Sequence, residues 1–287
     1  MSVWQPQLQR KLGKRARQLF HLGRDPIGHW RFSRRLEALG GGVHRYASFK
    51  YLGDYLALPM TVGDRRRALI GHYEAIDRSG LAARKASLNA GILLWQGEVA
   101  DDKPPLRIYL EPARLAPMEG ELQLRFAFRS DLFFLTFILS SGEPFDVNAA
   151  SILYIGGAQG GYQCRAETRE AAKRNGEISP AAMLMIAVQA LVRTMQVDGL
   201  IAVSANHQIS RSYAHDQIKL DYHCFWTEAG GTRHSRYYHL PRDTVSKSLG
   251  EISQTHRART RRKREAKAVV RAQIEQRLTD LLCGAAA

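Results

Sequence analysis

The chain has 287 residues, of which 45% are hydrophobic, and its formal net charge is +15. This length and composition are typical of a globular protein with one large core or two smaller ones, and no apolar run reaches the roughly 20 residues that a transmembrane helix needs. Three cysteines without metal-ligand spacing predict neither a disulfide framework nor a structural zinc site. We therefore expect a cytoplasmic protein with no transmembrane segment and no bound metal.

The positive charge is concentrated at the two ends of the chain. Residues 1–50 carry a net charge of +9 and residues 242–277 carry +7, whereas residues 51–241 are neutral. Such clusters concentrate positive potential where an anionic partner could bind. A membrane surface, an acidic protein and nucleic acid are all anionic partners of this kind. The charge distribution does not decide whether the protein also attaches to the surface of the inner membrane. Two solvated helix faces that only keep the protein in solution are an equally good interpretation.

Helices are predicted for most of residues 4–89, where apolar residues recur mainly at spacings of three and four, among them Leu19, Phe20 and Trp30. Proline and glycine at 25–26, 40–42 and 58–59 divide this region into short helices. Strands are then predicted at 92–95, 106–110, 122–128 and 132–139, and they indicate an antiparallel meander. A fifth strand at 152–155 runs directly into a glycine-rich segment.

The second half of the chain alternates helices and strands. We predict a helix at 165–174, an apolar helix at 180–192 with Ser179 as its N-cap and Pro180 at its first position, and a strand at 200–204. A helix at 222–228, a strand at 236–240 and a long arginine-rich helix at 252–282 follow. The fold class is therefore mixed α+β, with a mostly antiparallel central sheet that contains one parallel crossover. We expect a basic helical N-terminal region (1–90), an α/β core (91–241) and a basic C-terminal helix (242–287).

Four glycines surround one glutamine immediately after the fifth strand, and this segment is the first candidate site. Its members are Gly156, Gly157, Gln159, Gly160 and Gly161. Glycine lets a ligand or another chain segment approach the backbone closely, because it has no Cβ. The sequence therefore predicts a glycine loop that offers backbone amides to a ligand at the end of a strand, with a tight turn as the simpler alternative.

Several segments in the second half of the chain resemble the VirK-like family, also called the YbjX family. They are the run at 154–161, the helix at 180–192, the strand at 200–204, the aromatic helix at 222–228 with the glycines at 230–231, and the arginine-rich segment at 257–264. The resemblance implies a bacterial protein that acts as an accessory factor in envelope or virulence-related processes. It implies no agreed reaction.

The order of elements is also that of acetyltransferases of the GNAT type, which bind acyl-coenzyme A at the loop after their fourth strand. By this analogy the glycine loop binds acyl-coenzyme A and the chain is an acyltransferase, although the analogy alone does not establish an enzyme. His207 or Glu228 would then act as base, with Tyr213 or Tyr222 as acid. Core packing remains the simpler interpretation of Tyr222, and a surface loop that of His207.

Six cations of the C-terminal helix form a second candidate site, for an anion. They are Arg257, Arg259, Arg261, Arg262, Lys263 and Arg264. Such a cluster could bind phosphate groups, and its affinity for them would fall steeply as the salt concentration rises. Because no aromatic residue lies among these cations to stack on bases, nonspecific anion contact is favoured over recognition of a particular sequence. This helix also has few bulky apolar residues to insert into a membrane interface.

Overall fold

The computed structural model describes residues 4–39, 47–98, 104–214, 220–243 and 253–284. Within these ranges, eight strands form one sheet in the order β1-β2-β3-β4-β5-β6-β8-β7. The strands are β1 (Ile92–Gln96), β2 (Arg107–Pro112), β3 (Leu122–Ala127), β4 (Asp131–Ser140), β5 (Ile152–Gly160), β6 (Gly199–Val203), β7 (Thr232–His234) and β8 (Tyr237–His239). Neighbouring strands are antiparallel, except that β5 and β6 are parallel. The predicted mixed α+β class is confirmed.

The described helices of the first third of the chain all precede the first strand. They are α1 (Trp4–Arg24), α2 (Pro26–Ala38), α3 (Ala47–Lys50), α4 (Val62–Arg78) and α5 (Lys85–Ala90). Asp25 caps α2 and is followed by Pro26 at the first helical position, whereas Thr61 and Asp64 form a reciprocal capping box at the start of α4. Leu69, His72 and Tyr73 lie on the buried face of α4, which packs against β4. The helical N-terminal region therefore rests on the sheet.

The helices of the rest of the chain are α6 (Arg165–Arg174), α7 (Pro180–Thr194), α8 (Arg211–Ala214), α9 (Tyr222–Glu228) and α10 (Gln254–Cys283). The Ser179 hydroxyl accepts a hydrogen bond from the N–H of Ala182, so the predicted cap of α7 is confirmed. Every residue of α7 from Met183 to Val192 is buried, where the helix packs against β3, β4 and α10. This apolar helix is the centre of the core, as expected for a helix with few exposed positions.

The prediction of a glycine loop after residue 155 is wrong, because β5 continues through Gly160. The pairing of β5 with β4 extends from Ile152 to Gly160, with one irregularity: Phe137 pairs with Ile155 and Thr136 pairs with Gly157. Gly156 is thus an extra residue in β5, which makes this site a β-bulge. A bulge bends its strand and increases the local twist. The sequence suggested a loop because glycine-rich segments are usually turns, but here the neighbouring strand keeps the segment extended.

Strand β7 was missed by the sequence analysis, although β8 was predicted. The three residues of β7 are all exposed, so they show no alternation of apolar and polar side chains. The two strands form a hairpin in which His234 pairs with Tyr237, and Ser235 in the turn has a positive φ of 54°. Among the described residues, no helix is both long and apolar enough to cross a membrane.

Candidate functional site

The parallel strands β5 and β6 pair over only four residues and then separate. Their pairs run from Ile152 with Gly199 to Ile155 with Ala202. Beyond Ile155, β5 continues for five residues alongside β4, whereas β6 ends at Val203. The bulge at Gly156 lies where the two strands part. We call the space between β5 and the end of β6 the β5–β6 gap.

Helix α9 closes the β5–β6 gap with two of its aromatic side chains. The Tyr222 hydroxyl accepts a hydrogen bond from the N–H of Ala158 (3.0 Å) and donates one to the carbonyl of the same residue (3.1 Å). The indole N–H of Trp226 donates to the carbonyl of Val203 (2.8 Å) at the end of β6. Asp221 caps α9 by accepting a hydrogen bond from the N–H of Cys224. Helix α9 therefore provides hydrogen-bond partners for backbone groups of Ala158 and Val203, which a neighbouring strand would otherwise provide.

Two of the glycines allow Glu119 to lie directly on β5. A Cβ at Gly156 would overlap the backbone carbonyl of Glu119, and a Cβ at Gly157 would overlap its carboxylate. Glu119 belongs to the connection between β2 and β3 and is almost completely buried. The close approach of Glu119 thus accounts for both glycines without any ligand.

The Glu119 carboxylate has two partners from the segment after β6. It accepts hydrogen bonds from the amide of Gln208 (2.6 Å) and the hydroxyl of Ser210 (2.6 Å). Burial raises the pKa of Glu119, and the bonds from Ser210 and Gln208 oppose this shift. The amide oxygen of Gln208 is buried and has no hydrogen-bond partner among the described residues. A buried carboxyl group with a raised pKa keeps its proton to higher pH than an exposed one and is a stronger base once ionised, which suits a role in proton transfer.

Sequence reasoning missed Glu119, Gln208 and Ser210. Glu119 and Glu121 flank Gly120 just before an apolar strand, and acidic residues in such a position usually belong to an exposed loop. The partners of Glu119 lie 89 and 91 positions further along the chain. The one available signal was that two glutamates adjoin the start of β3, and it does not identify their partners.

The structure brings only one of the three predicted catalytic residues to the glycine segment. Tyr222 contacts Ala158, as described above. His207 lies just beyond β6, where its Nδ1 is 2.8 Å from the hydroxyl of Ser204. Glu228 is exposed at the other end of α9 and accepts from the Cys224 thiol, whose pKa it raises. The side chain of Tyr213 lies outside the described residues.

The remaining residues of the glycine segment lie at the end of β5. Gln159 is half-buried and pairs with Phe134, whereas Gly160 is exposed and has no close neighbour at its Cβ position. A Cβ at Gly161 would overlap the carbonyl of Asp131, so packing also accounts for this glycine. The groups that fit an amide-bearing ligand such as acyl-coenzyme A are therefore the N–H and C=O of Ala158, which now bond to Tyr222. Binding of acyl-coenzyme A to these residues stays a prediction.

The second candidate site lies on the first half of α10. The other half of this helix is held by Val270, Ile274 and Leu278, which are buried against the core. Exposed cations of the first half are Arg257, Arg259, Arg261 and Arg262, with Lys263 and Arg264 partly buried. Arg259 and Lys263 both form ion pairs with Glu177. An acidic residue of the same chain therefore neutralises part of the positive charge in this half of α10.

Comparison with known sequences places this chain in a family. Residues 43–276 match the family described as "Protein of unknown function (DUF535)", and the chain belongs to that family. It is 28% identical over 222 residues to the "Uncharacterized protein YbjX" of Escherichia coli (strain K12). The match covers 74% of this chain and 66% of that relative, just under two thirds of its length. No solved structure matches.

Proposed function

We propose that this protein is an accessory factor of envelope or virulence-related processes that binds an anionic partner through its two basic ends. The observation that carries the proposal is the separation of charge: a core of zero net charge lies between ends of +9 and +7. Exposed arginines occur in both ends, including Arg15 and Arg24 in α1 and Arg261 and Arg262 in α10. Such clusters attract anions over about a Debye length.

The form of α10 supports the same proposal. Its buried residues are Val270, Ile274 and Leu278, so the first three turns contribute no buried residue to the core that the structure describes. A helical segment without such packing is marginal in isolation, and here it extends a helix that is anchored at its other half. The result is an exposed row of cations on a fixed support, which suits contact with a charged surface.

Charge reversal in α10 tests this function. The test variant changes Arg257, Arg259, Arg261 and Arg262 to Glu, and the control variant changes four exposed cations of the neutral core, Arg165, Arg169, Lys173 and Arg233, to Glu. Binding to anionic vesicles, to DNA and to an acidic polypeptide is measured at increasing salt. We expect the test variant to lose affinity for at least one of these by about 1 kcal/mol or more per reversed charge. Equal binding by both variants to all three would refute the role of α10.

Acyl transfer in the β5–β6 gap is a second candidate function, and the early separation of β5 from β6 favours it. The separation leaves the N–H and C=O of Ala158 facing a side chain instead of a strand, so a ligand with amide groups could take the place of Tyr222. Bound acyl-coenzyme A would supply an activated acyl group. Glu119, with its raised pKa, or His207 would then accept the proton of the acceptor amine or hydroxyl as this group takes the acyl group, and Tyr222 would donate a proton to the departing coenzyme A thiolate.

A thermal-shift titration with acetyl-coenzyme A and longer acyl forms tests the second function. A ligand that binds only the folded state raises the melting temperature as its concentration exceeds its dissociation constant. The variant Tyr222→Leu removes the hydroxyl from the gap, and Tyr162→Leu, at an exposed position, is its control. We expect a shift that Tyr222→Leu alters and Tyr162→Leu does not. No shift with any acyl form at saturating concentration excludes acyl-coenzyme A as a ligand.

A further inference from the structure

Helices α1 and α2 expose large apolar side chains beside cations. Leu19, Phe20, Ile27 and Trp30 are 68%, 63%, 65% and 63% exposed. Exposed cations in the same two helices include Arg15, Arg17, Arg24, Arg31 and Arg34, of which Arg17 and Arg34 also pair with Asp54 and Glu37. We call the four apolar residues and these five arginines the α1–α2 surface. Single exposed apolar residues are common in folded proteins, but four of them within twelve positions, on both sides of the α1–α2 junction, indicate a binding surface.

These apolar residues are not needed to hold α2 on the protein. Phe32 and Leu36 supply its buried face, while Ile27 and Trp30 lie on the outward face of the same helix. Asp25, at the junction of the two helices, accepts a hydrogen bond from Arg66 of α4 at 2.9 Å. The guanidinium of Arg66 also lies over the ring of Tyr51. Contacts with α4 and with Tyr51 therefore fix the junction, and the exposed apolar side chains are left for a partner.

Charge decides between the possible partners of this surface. Residues 4–39 contain nine Lys or Arg and only two Asp or Glu. A second copy of the same surface would bring like charge against like charge, which disfavours self-association. Nucleic acid would satisfy the cations and could stack on Phe20 and Trp30, but Leu19 and Ile27 have no ring to stack on a base. An anionic bilayer satisfies both groups, because its headgroups attract cations and its acyl boundary accepts apolar side chains.

We infer that the α1–α2 surface binds an anionic lipid bilayer, with Leu19, Phe20, Ile27 and Trp30 inserted at the headgroup boundary and the surrounding arginines on the phosphates. This inference rests on the proposed function in that it identifies the anionic partner of the N-terminal basic end. Trp30 suits this position because its ring is apolar and its N–H can bond to water or headgroups. The arginine stems can lie along the apolar boundary while the guanidinium groups stay in water.

Vesicle binding by the full chain tests the inference. Vesicles of phosphatidylcholine alone are compared with equimolar phosphatidylglycerol and phosphatidylcholine, and binding is measured by co-sedimentation. The variant Phe20→Ser with Trp30→Ser removes two apolar groups without changing the charge. Its control is Leu115→Ser with Val269→Ser, two exposed apolar residues outside the surface. We expect the control to bind the anionic vesicles as the unchanged protein does, and the test variant to bind at least about tenfold more weakly.

A charge variant separates this inference from the proposed function. Arg15→Glu, Arg17→Glu and Arg24→Glu together should weaken binding to the anionic vesicles at least about tenfold, while circular dichroism shows that each variant is folded. If this variant loses binding and the Phe20, Trp30 variant does not, the anionic partner stands and insertion into a bilayer is overturned. Binding to DNA or to an acidic polypeptide, with none to anionic vesicles, overturns the inference in the same way. If both variants bind the vesicles as the unchanged protein does, the inference and the role of the N-terminal end are both overturned.

Discussion

The hydroxyl of Tyr222 bonds to both backbone groups of Ala158, and so takes the position that a paired strand would have beside β5. Ala158 and Tyr222 are both almost completely buried. Backbone N–H and C=O groups in such a place need partners, since no water replaces them. The pair therefore connects α9 to the sheet at the point where β5 and β6 part.

Tyr222→Phe should destabilise the fold by about 2 kcal/mol, because it leaves two buried backbone groups of Ala158 without their partner. The free energy of unfolding, measured with urea, checks this value. Tyr162→Phe is the matched control at an exposed position, and we expect it to change stability by less than about 0.5 kcal/mol. Equal stability of the two variants would mean that the bonds to Ala158 contribute nothing.

Gly157→Ala should destabilise the fold clearly, and Gly160→Ala should destabilise it little. The new Cβ at 157 would overlap the Glu119 carboxylate, whereas at 160 the nearest atom is 4.0 Å away. We expect a loss of about 1–3 kcal/mol for the first variant, which is the usual cost of overpacking, and less than about 1 kcal/mol for the second. Combining Gly157→Ala with Glu119→Ala removes the overlapping carboxylate, so the losses of the two single variants should not add. Additive losses would show that Glu119 does not lie on Gly157.

Glu119 should make stability depend on pH in a defined direction. Burial raises its pKa above the usual 4.5 in the folded protein, so the unfolded chain loses this proton first as the pH rises. The contribution of the group to folding is therefore greatest below pH 4.5 and is lost as the pH rises towards the folded pKa. Glu119→Gln cannot ionise, and its stability relative to the unchanged protein should improve across that range. Urea unfolding at a series of pH values checks this, and an unchanged difference would contradict the raised pKa.

Local sequence patterns predicted many of the helices and strands, because each of these elements has its own periodicity and its own end residues. Helices α6 and α9 begin and end where the sequence analysis placed them, since charged or aromatic helical runs end at Asn175 and at the glycines 230–231. The extent of β5 could not be predicted, because pairing with β4 overrides the turn preference of its glycines.

Positions fixed by distant parts of the chain were beyond sequence reasoning. Leu19, Phe20 and Trp30 recur at helical spacing, which predicts a buried face, yet all three are exposed. Glu119 carries the opposite signal, since an acidic residue in a connection is usually exposed but this one is buried. Periodicity identifies a helix, but it does not show which of its apolar residues meets the core. The α1–α2 surface depends on apolar residues that are exposed, and the β5–β6 gap depends on an acidic residue that is buried.

Lys50→Met should destabilise the protein strongly. The Lys50 ammonium lies 2.6 Å from the Glu121 carboxylate, which also accepts hydrogen bonds from Tyr55 (2.8 Å) and Tyr73 (2.6 Å). Removing one partner of a buried ion pair leaves an uncompensated charge, at a cost of about 3–5 kcal/mol. Adding Glu121→Gln should restore part of this loss. Arg34→Met breaks an exposed pair with Glu37 and should cost less than about 1 kcal/mol in the same unfolding experiment. Similar losses at the two pairs would mean that burial of the Lys50 pair has no energetic consequence.

His72 should reduce stability as the medium becomes acidic. Its ring is buried beneath the sheet, where Nδ1 accepts a hydrogen bond from the N–H of Leu139 (3.2 Å), and burial lowers its pKa from 6.5 to about 4. The unfolded chain therefore takes up this proton first, so the contribution of His72 is fully present above pH 6.5 and is lost as the pH falls towards 4. The loss should approach about 3 kcal/mol, at 1.36 kcal/mol for each pKa unit. His72→Gln should be less stable at neutral pH but should lose less stability over this range, whereas His256→Gln, at an exposed position, should follow the unchanged protein. A parallel pH dependence in all three proteins would show that His72 is not held neutral by burial.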